Sequence, residues 1–104
     1  MHGPYWMKST RLLAPAETEL FVAVEYYERK RSGTGRCLLD AVESVVGGIG
    51  QFPGMGGMIA GGFRGVLVPG FPCVVVYQER PDECLIVAVA HTSRRSGYWR
   101  ERIN

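Results

Sequence analysis

The chain holds only three cysteines and two histidines in its 104 residues, and both scarcities exclude chemistry. Cys37, Cys73 and Cys84 are odd in number, far apart and without Cys-x-x-Cys or Cys/His spacing. That argues against a disulfide framework and a zinc site, and leaves small buried thiols in a reducing cytoplasm. With only His2 and His91 available, no Ser/His/Asp triad, paired-carboxylate site or metal cluster can be read. No metal and no cofactor are expected. No apolar run approaches the ~20 residues of a membrane helix, so no membrane partner is expected. The opening MHGPYWMKST lacks the apolar core of a signal peptide. There is no internal repeat. Net charge is +2, too small to point to a nucleic-acid partner. Glycine is plentiful, with six in the thirteen residues Gly50–Gly62. Yet no Gly-Lys-Ser/Thr follows, and Ile59 breaks the G-x-G-x-x-G pattern, so the stretch reads as a mobile loop.

What is present is a helical first half and a strand-rich second half. Ser9–Leu13 is a short candidate strand. Pro15 suits the first turn of a helix, Glu17 and Glu19 favour its N-terminus, and Arg29, Lys30 and Arg31 its C-terminus. Leu20, Ala23, Val24 and Tyr27 share one face of that helix. Ser32–Gly35 ends it, and Thr34 is placed to cap a second helix over about Gly35–Val46. Leu38, Val42, Val45 and Ile49 form the buried stripe of this second helix, and Gly47-Gly48 ends it. Phe63–Val68 then reads as a strand, Pro69-Gly70 as a turn, and Cys73–Gln78 with Cys84–His91 as a hairpin around Pro81-Asp82-Glu83. Tyr98–Ile103 reads as a short helix or an irregular tail. The order β-α-α-β-β-β predicts an α+β fold. A two-helix hairpin packs on an antiparallel sheet of about four strands, in one domain over residues 1–104.

Charge is unevenly placed. His91–Asn104 carries four Arg against one Glu, whereas Pro15–Glu28 carries four Glu and no Lys or Arg. The tail also sets Tyr98 and Trp99 among its arginines, a composition suited to RNA or to an acidic protein surface. If the tail stays extended after Ser96-Gly97, Tyr98 and Trp99 point to opposite sides. Trp99, with the larger area, is the expected buried anchor, and Tyr98 is expected half-exposed beside Arg94 and Arg95.

The run from Phe71-Pro72 through Val74-Val75-Val76-Tyr77, Ile86–His91 and Arg94-Arg95-x-Gly97-Tyr98-Trp99 resembles the C-terminal half of the RelE/ParE superfamily. These are toxins of bacterial type II toxin–antitoxin (plasmid stabilisation) systems. The first half agrees, with a helix closing on Tyr26-Tyr27-Glu28, a Gly33-x-Gly35 turn, a second helix and Pro53. The resemblance covers roughly Lys8–Arg102, and Met7 begins MKSTRLL as members of the family often start. Met1–Trp6 is then an N-terminal extension.

The resemblance implies a cytoplasmic, growth-inhibiting toxin neutralised by a cognate antitoxin. The target it implies is DNA gyrase in the ParE-like branch, or translated mRNA on the ribosome in the RelE-like branch. A RelE-like endonuclease would use His91 or Tyr98 for proton transfer, and Arg64 and Arg95 to bind phosphate. Arg94, Arg95, Tyr98, Trp99 and Arg100 would bind the target. The sequence departs from the nuclease branch where Phe71–Val74 carries no basic residue and Glu79 and Asp82 add negative charge nearby. The gyrase reading therefore ranks first, with a decayed toxin that keeps only its binding surface as a further alternative. An antitoxin wrap needs apolar surface, and Phe21, Val22 and Tyr26 supply it opposite the core stripe of the first helix.

Overall fold

The computed structural model describes residues 8–103, so the proposed extension Met1–Trp6 lies outside the described residues. The chain runs through β1 (Ser9–Leu12), α1 (Ala14–Lys30), α2 (Thr34–Gln51), β2 (Gly57–Ile59), β3 (Phe63–Leu67), β4 (Cys73–Glu79) and β5 (Glu83–His91). Short 3-10 turns lie at Ala60–Gly62 and Arg100–Arg102. The fold is α+β, two helices on one sheet, as expected. The sheet has five strands in the order β1-β5-β4-β3-β2.

Two expectations need correction, and they share one cause. The sheet has five strands rather than four, and it is mixed, because β1 pairs parallel with β5. The strand missed in the sequence is β2, inside the glycine-rich stretch. Each connection from β1 to β5 reverses the chain, so adding β2 changes the parity of the reversals. Without it, β5 would run antiparallel to β1; with it, the two run parallel.

The glycine-rich stretch is organised rather than a free loop. Tyr77, fully buried, donates its hydroxyl to the Pro53 carbonyl at 2.6 Å and accepts from Gly56 N–H at 3.1 Å. That pair of bonds ties residues 53–56 to the sheet and delivers the chain to β2.

The helices obey their stripes. Leu38, Val42, Val45 and Ile49 of α2 are all buried, with Ala16 and Leu20 of α1, against Val75, Tyr77 and Ile86 of the sheet. The opposite face of the sheet buries Phe63, Val76, Leu85 and Val87 under Trp99. Cys73 and Cys84 are buried as expected, whereas Cys37 is exposed on α2. Among the described residues no helix is long and apolar enough to cross a membrane.

α2 does not stop at Gly47-Gly48 but continues to Gln51. Glycine in a helix costs roughly 0.5–1 kcal/mol. The extra turn buries Ile49, which contributes roughly 1.5–3 kcal/mol. It also aims the Gly50 carbonyl at Lys8 N–H, at 2.9 Å. Packing therefore outweighs propensity. Thr34 is not the cap either. Gly33 takes that position at φ 91°, and the carboxylate of Glu28 on α1 accepts from Gly33 and Gly35 N–H, both at 3.0 Å. Those bonds hold the Glu28 carboxyl below its ordinary pKa.

Gly35 marks a close helix–helix approach, since a Cβ there would meet the Val24 carbonyl oxygen at 2.7 Å. Gly47 faces open space on the same helix. Gly35→Ala should destabilise by about 1–3 kcal/mol. Gly47→Ala should stabilise by about 0.5–1 kcal/mol. Urea unfolding of the two variants checks both, and equal effects would refute the packing argument.

Candidate functional site

A groove of about 720 Å³ lies between α1, the end of the β4–β5 hairpin and the C-terminal tail. Its floor is apolar, formed by Ala23, Tyr27, Cys73 and Val89, and Val22 and Tyr26 of α1 form one wall. His91, Arg94 and Tyr98 line the other side.

A β-bulge builds this arrangement. Tyr77 pairs with Ile86 but Val76 pairs with Ala88, so Val87 is an extra residue on β5. Val87 and Ala88 both pack on the outer face of the sheet, and Val89 then falls on the helix side. The inserted residue shifts the two-residue alternation by one. His91 follows Val89 onto the groove side for the same reason.

The groove's inner end is built on a carboxylate that the sequence reading treated only as a helix-dipole residue. β1 covers β5 no further than Ile86. Beyond it, Arg102 Nη1 donates to the Val87 carbonyl at 2.8 Å, and Val89 N–H donates to Glu19 at 3.0 Å. Glu19 also accepts from both Arg102 nitrogens, at 3.0 and 2.9 Å, and from the Tyr98 hydroxyl at 2.6 Å. Burial pushes the Glu19 carboxyl up, but the bonds from Arg102, Tyr98 and Val89 outweigh it and hold it below its ordinary pKa. Burial and the bond to Glu19 drive the Tyr98 phenol well above its ordinary value. Sequence reasoning missed both Glu19 and Arg102. Their only signal was opposite charge at distant positions, Glu19 on the buried side of α1 and Arg102 just past Trp99.

Trp99 is buried and Tyr98 half-buried as expected, but the tail is not extended there: Trp99 has helical backbone angles, φ −82° and ψ −9°, and the Tyr98 and Trp99 rings meet edge-on at 5.3 Å instead of pointing to opposite sides. Trp99 is 7% exposed, edge-on to Phe63 at 6.3 Å, and its indole N–H is buried without a hydrogen-bond partner among the described residues. Trp99 therefore acts as a packing anchor and does not present a target-binding face. Tyr98 is half-buried, and Arg94 lies over its ring at 3.9 Å. Its hydroxyl, however, goes to Glu19 instead of to the Arg94/Arg95 pair. Arg95 and Arg100 are exposed.

Of the nuclease set, His91 and Tyr98 line the groove, but Arg64 stands apart from them. Arg64 pairs with Tyr77, and His91 pairs with Cys73. Four residues of strand separate those positions on β4, roughly 13 Å. The Arg64 guanidinium instead donates to the carbonyl of Gly56 at 2.8 Å, holding the glycine-rich segment. The His91 ring accepts from Ser93 N–H at 3.0 Å and lies 2.7 Å from the Ser93 hydroxyl. The Tyr98 hydroxyl donates to Glu19 and its pKa is raised, which makes it a poor proton acceptor. Burial also pushes the Cys73 thiol up, which removes it as a nucleophile. Among the described residues no group of His, Cys, Asp and Glu is arranged to hold a metal ion. What the groove offers chemically is an apolar floor with cations at its rim. Phe21, Val22 and Tyr26 remain open to solvent at 62%, 59% and 50%.

No protein-family model matches the chain, and no curated protein matches it. Among solved structures, the chain is similar to one from the chromosomal ParDE TA system of P. aeruginosa. The TM-score is 0.73 at 14% identity, over 83% of this chain and 97% of that one. This likeness shows that the chain has that fold, the α+β architecture its resemblance to the RelE/ParE toxins implied.

Glu19→Ala should cost about 2–4 kcal/mol, since it strands Arg102 and uncaps β5. Tyr98→Phe should cost about 1–2 kcal/mol through the lost bond to a carboxylate. The depressed Glu19 pKa stabilises the fold fully above the unfolded-state value of about 4.3, and that stability is lost as pH falls through the lower folded value. Glu19→Gln should therefore flatten the acid limb of a stability–pH profile. An unchanged acid limb would show that Glu19 is not the responsible group.

Proposed function

We propose that this chain is the toxin of a type II toxin–antitoxin pair, acting in the cytoplasm as one domain and held inactive by a cognate antitoxin. The carrying observation is the exposed apolar strip Phe21, Val22 and Tyr26 beside an apolar groove, on a fold shared with a chain of a ParDE system. An isolated soluble helix gains nothing from exposing two aromatic rings and a valine side by side. A protein that spends its resting life bound does gain.

Of the two targets, the separation of Arg64 from His91 favours a ParE-like inhibitor of DNA gyrase. A binder needs no general base, and here the phosphate-binding candidate Arg64 and the proton-transfer candidate His91 sit at different ends of β4. The exposed arginines Arg94, Arg95 and Arg100 then serve as target contacts, with Tyr98 as the shelf for Arg94. The RelE-like mRNA endonuclease remains the second reading. It rests on His91, Arg95 and Arg94 sharing one end of the molecule.

Induced expression of the chain alone should arrest growth with a DNA-damage response and filamentation while amino-acid incorporation continues. Prompt loss of translation with message cleavage that needs His91 would establish the nuclease instead. Co-expression of the neighbouring reading frame should restore growth, and Val22→Glu/Tyr26→Glu should abolish that rescue without abolishing arrest. Rescue that survives the double substitution would remove the α1 strip as the antitoxin contact.

A further inference from the structure

We propose that the β2 edge of the sheet is a self-association surface. A second copy of this chain pairs its own β2 antiparallel there, across a two-fold axis through Met58.

β2 ends the sheet three strands beyond β5, roughly 14 Å away, so this surface is separate from the groove along α1. Its inner side pairs with β3, and Gly57, Met58 and Ile59 make no other main-chain bond among the described residues. An open ladder edge is a template for another strand. β1, the opposite edge, is guarded by charge: Lys8 donates to Glu79 at 3.0 Å, and Arg11 to Glu83 at 2.9 Å. β2 has no such guard. No charged residue stands between Glu43 and Arg64 in the sequence. Arg64 commits its guanidinium to the Gly54 and Gly56 carbonyls of the same segment, at 3.4 and 2.8 Å.

Apolar side chains flank this edge. Met58 pairs with Arg64 and Arg64 with Tyr77, so Met58 stands on the helix side of the sheet. Phe52 and Met55 belong to the turn that α2 and the Tyr77 hydroxyl hold on that side. Phe52, Met55 and Met58 are 67%, 49% and 63% exposed. A three-residue ladder alone does not hold two chains together, since even an isolated hairpin is marginal. These side chains supply the apolar area that the ladder lacks, and methionine adapts its shape to a copy of itself. Gly57 has open space where a Cβ would stand, so a second backbone can come close there.

Charge selects the occupant. A partner of different sequence is chosen by charges opposite to those it meets, and this edge offers none. Two copies of the chain each carry a net +2 and repel, so they meet best where no charge lies. Antiparallel pairing about Met58 sets Met58 against Met58 and Gly57 against Ile59. The apolar patch then meets its own equivalent, as a two-fold contact requires.

Sedimentation equilibrium of the full chain from about 1 μM to about 1 mM tests this, a range that brackets the affinity of a small interface. A monomer–dimer equilibrium should appear, and high salt should not weaken it, because no charge crosses the contact. Met58→Lys should weaken dimerisation at least about tenfold by setting two lysines face to face. Phe21→Lys on α1 should leave it unchanged, with melting curves confirming that both variants fold. In a Cys37→Ser background, Met58→Cys should link into a disulfide dimer under mild oxidation, and Phe21→Cys should not. Directly opposed residues of antiparallel strands lie about 4.5–5.5 Å apart between Cα atoms, within disulfide reach.

A chain that stays monomeric throughout, or a dimer that Phe21→Lys dissolves and Met58→Lys leaves intact, would overturn the proposal. A dimer that forms without the Met58→Cys link would overturn the two-fold pairing. A chain that dimerises only once Met1–Trp6 is removed would give the edge to that segment and overturn the proposal as well.

Discussion

The structure depends on how the second half of β5 is covered. A strand at a sheet edge must satisfy its N–H and C=O groups or leave them to water. β1 satisfies β5 only to Ile86, because the chain leaves at Leu13 to begin α1. The Leu13 N–H makes the last main-chain bond, to Ile86. From there side chains take over. Arg102 donates to Val87 and Glu19 accepts from Val89, in place of the strand that is missing. Since Glu19 belongs to α1 and Arg102 to the tail, the same bonds fix the helix to the sheet and the tail to both. The groove, the Tyr98 shelf and the seat of Trp99 all follow from that junction.

This junction also sets a limit on chemistry. A half-buried carboxylate that accepts four hydrogen bonds is a structural anchor, and it holds the neighbouring phenol protonated. The tail thereby loses Tyr98 as a proton acceptor and keeps its cations. Arg94 stacks, Arg95 and Arg100 stay exposed, and His91 is engaged with Ser93. An arrangement rich in positive charge and poor in bases is suited to recognition. That is the physical ground for ranking a binding mechanism over hydrolysis.

Much of the fold was legible from periodicity. The α2 stripe and the hairpin follow from local spacing, and the burial of Trp99 from its larger area; the opposite placement of Tyr98 does not, because the chain turns there and the two rings touch. The failures have physical causes of their own. β2 is three residues held by Tyr77 and by pairing with β3, so no local pattern announces it. Missing it also reversed the expected direction of β1. α2 outruns its two glycines because Ile49 finds the core, a tertiary gain that propensity cannot express. The bulge at Val87 is equally invisible in a continuous apolar run. Without it, alternation from Cys84 would have placed His91 on the other face. The candidate site was thus half legible. The apolar strip on α1 and the tail arginines could be named from the sequence. The separation of Arg64 from His91, and the use of Glu19 and Arg102, required the register.

The two exposed features of α1 come from one design constraint. The helix covers the sheet with Ala16 and Leu20, and it holds the tail with Glu19. Those duties occupy one side and its first turns. Farther along, Val22, Tyr26 and Lys30 follow each other at i, i+4 and i+8, one above another on the groove side. An apolar stripe that ends on a lysine beside an aromatic ring is a poor solvent face and a good docking face. The tail supplies the matching cation from the opposite wall by turning back at His91, where the Arg94 N–H bonds the His91 carbonyl. The groove therefore has one apolar wall from the helix, and a cation from each of its two walls. Any partner must satisfy both walls at once, which is how a small surface gains selectivity beyond its area.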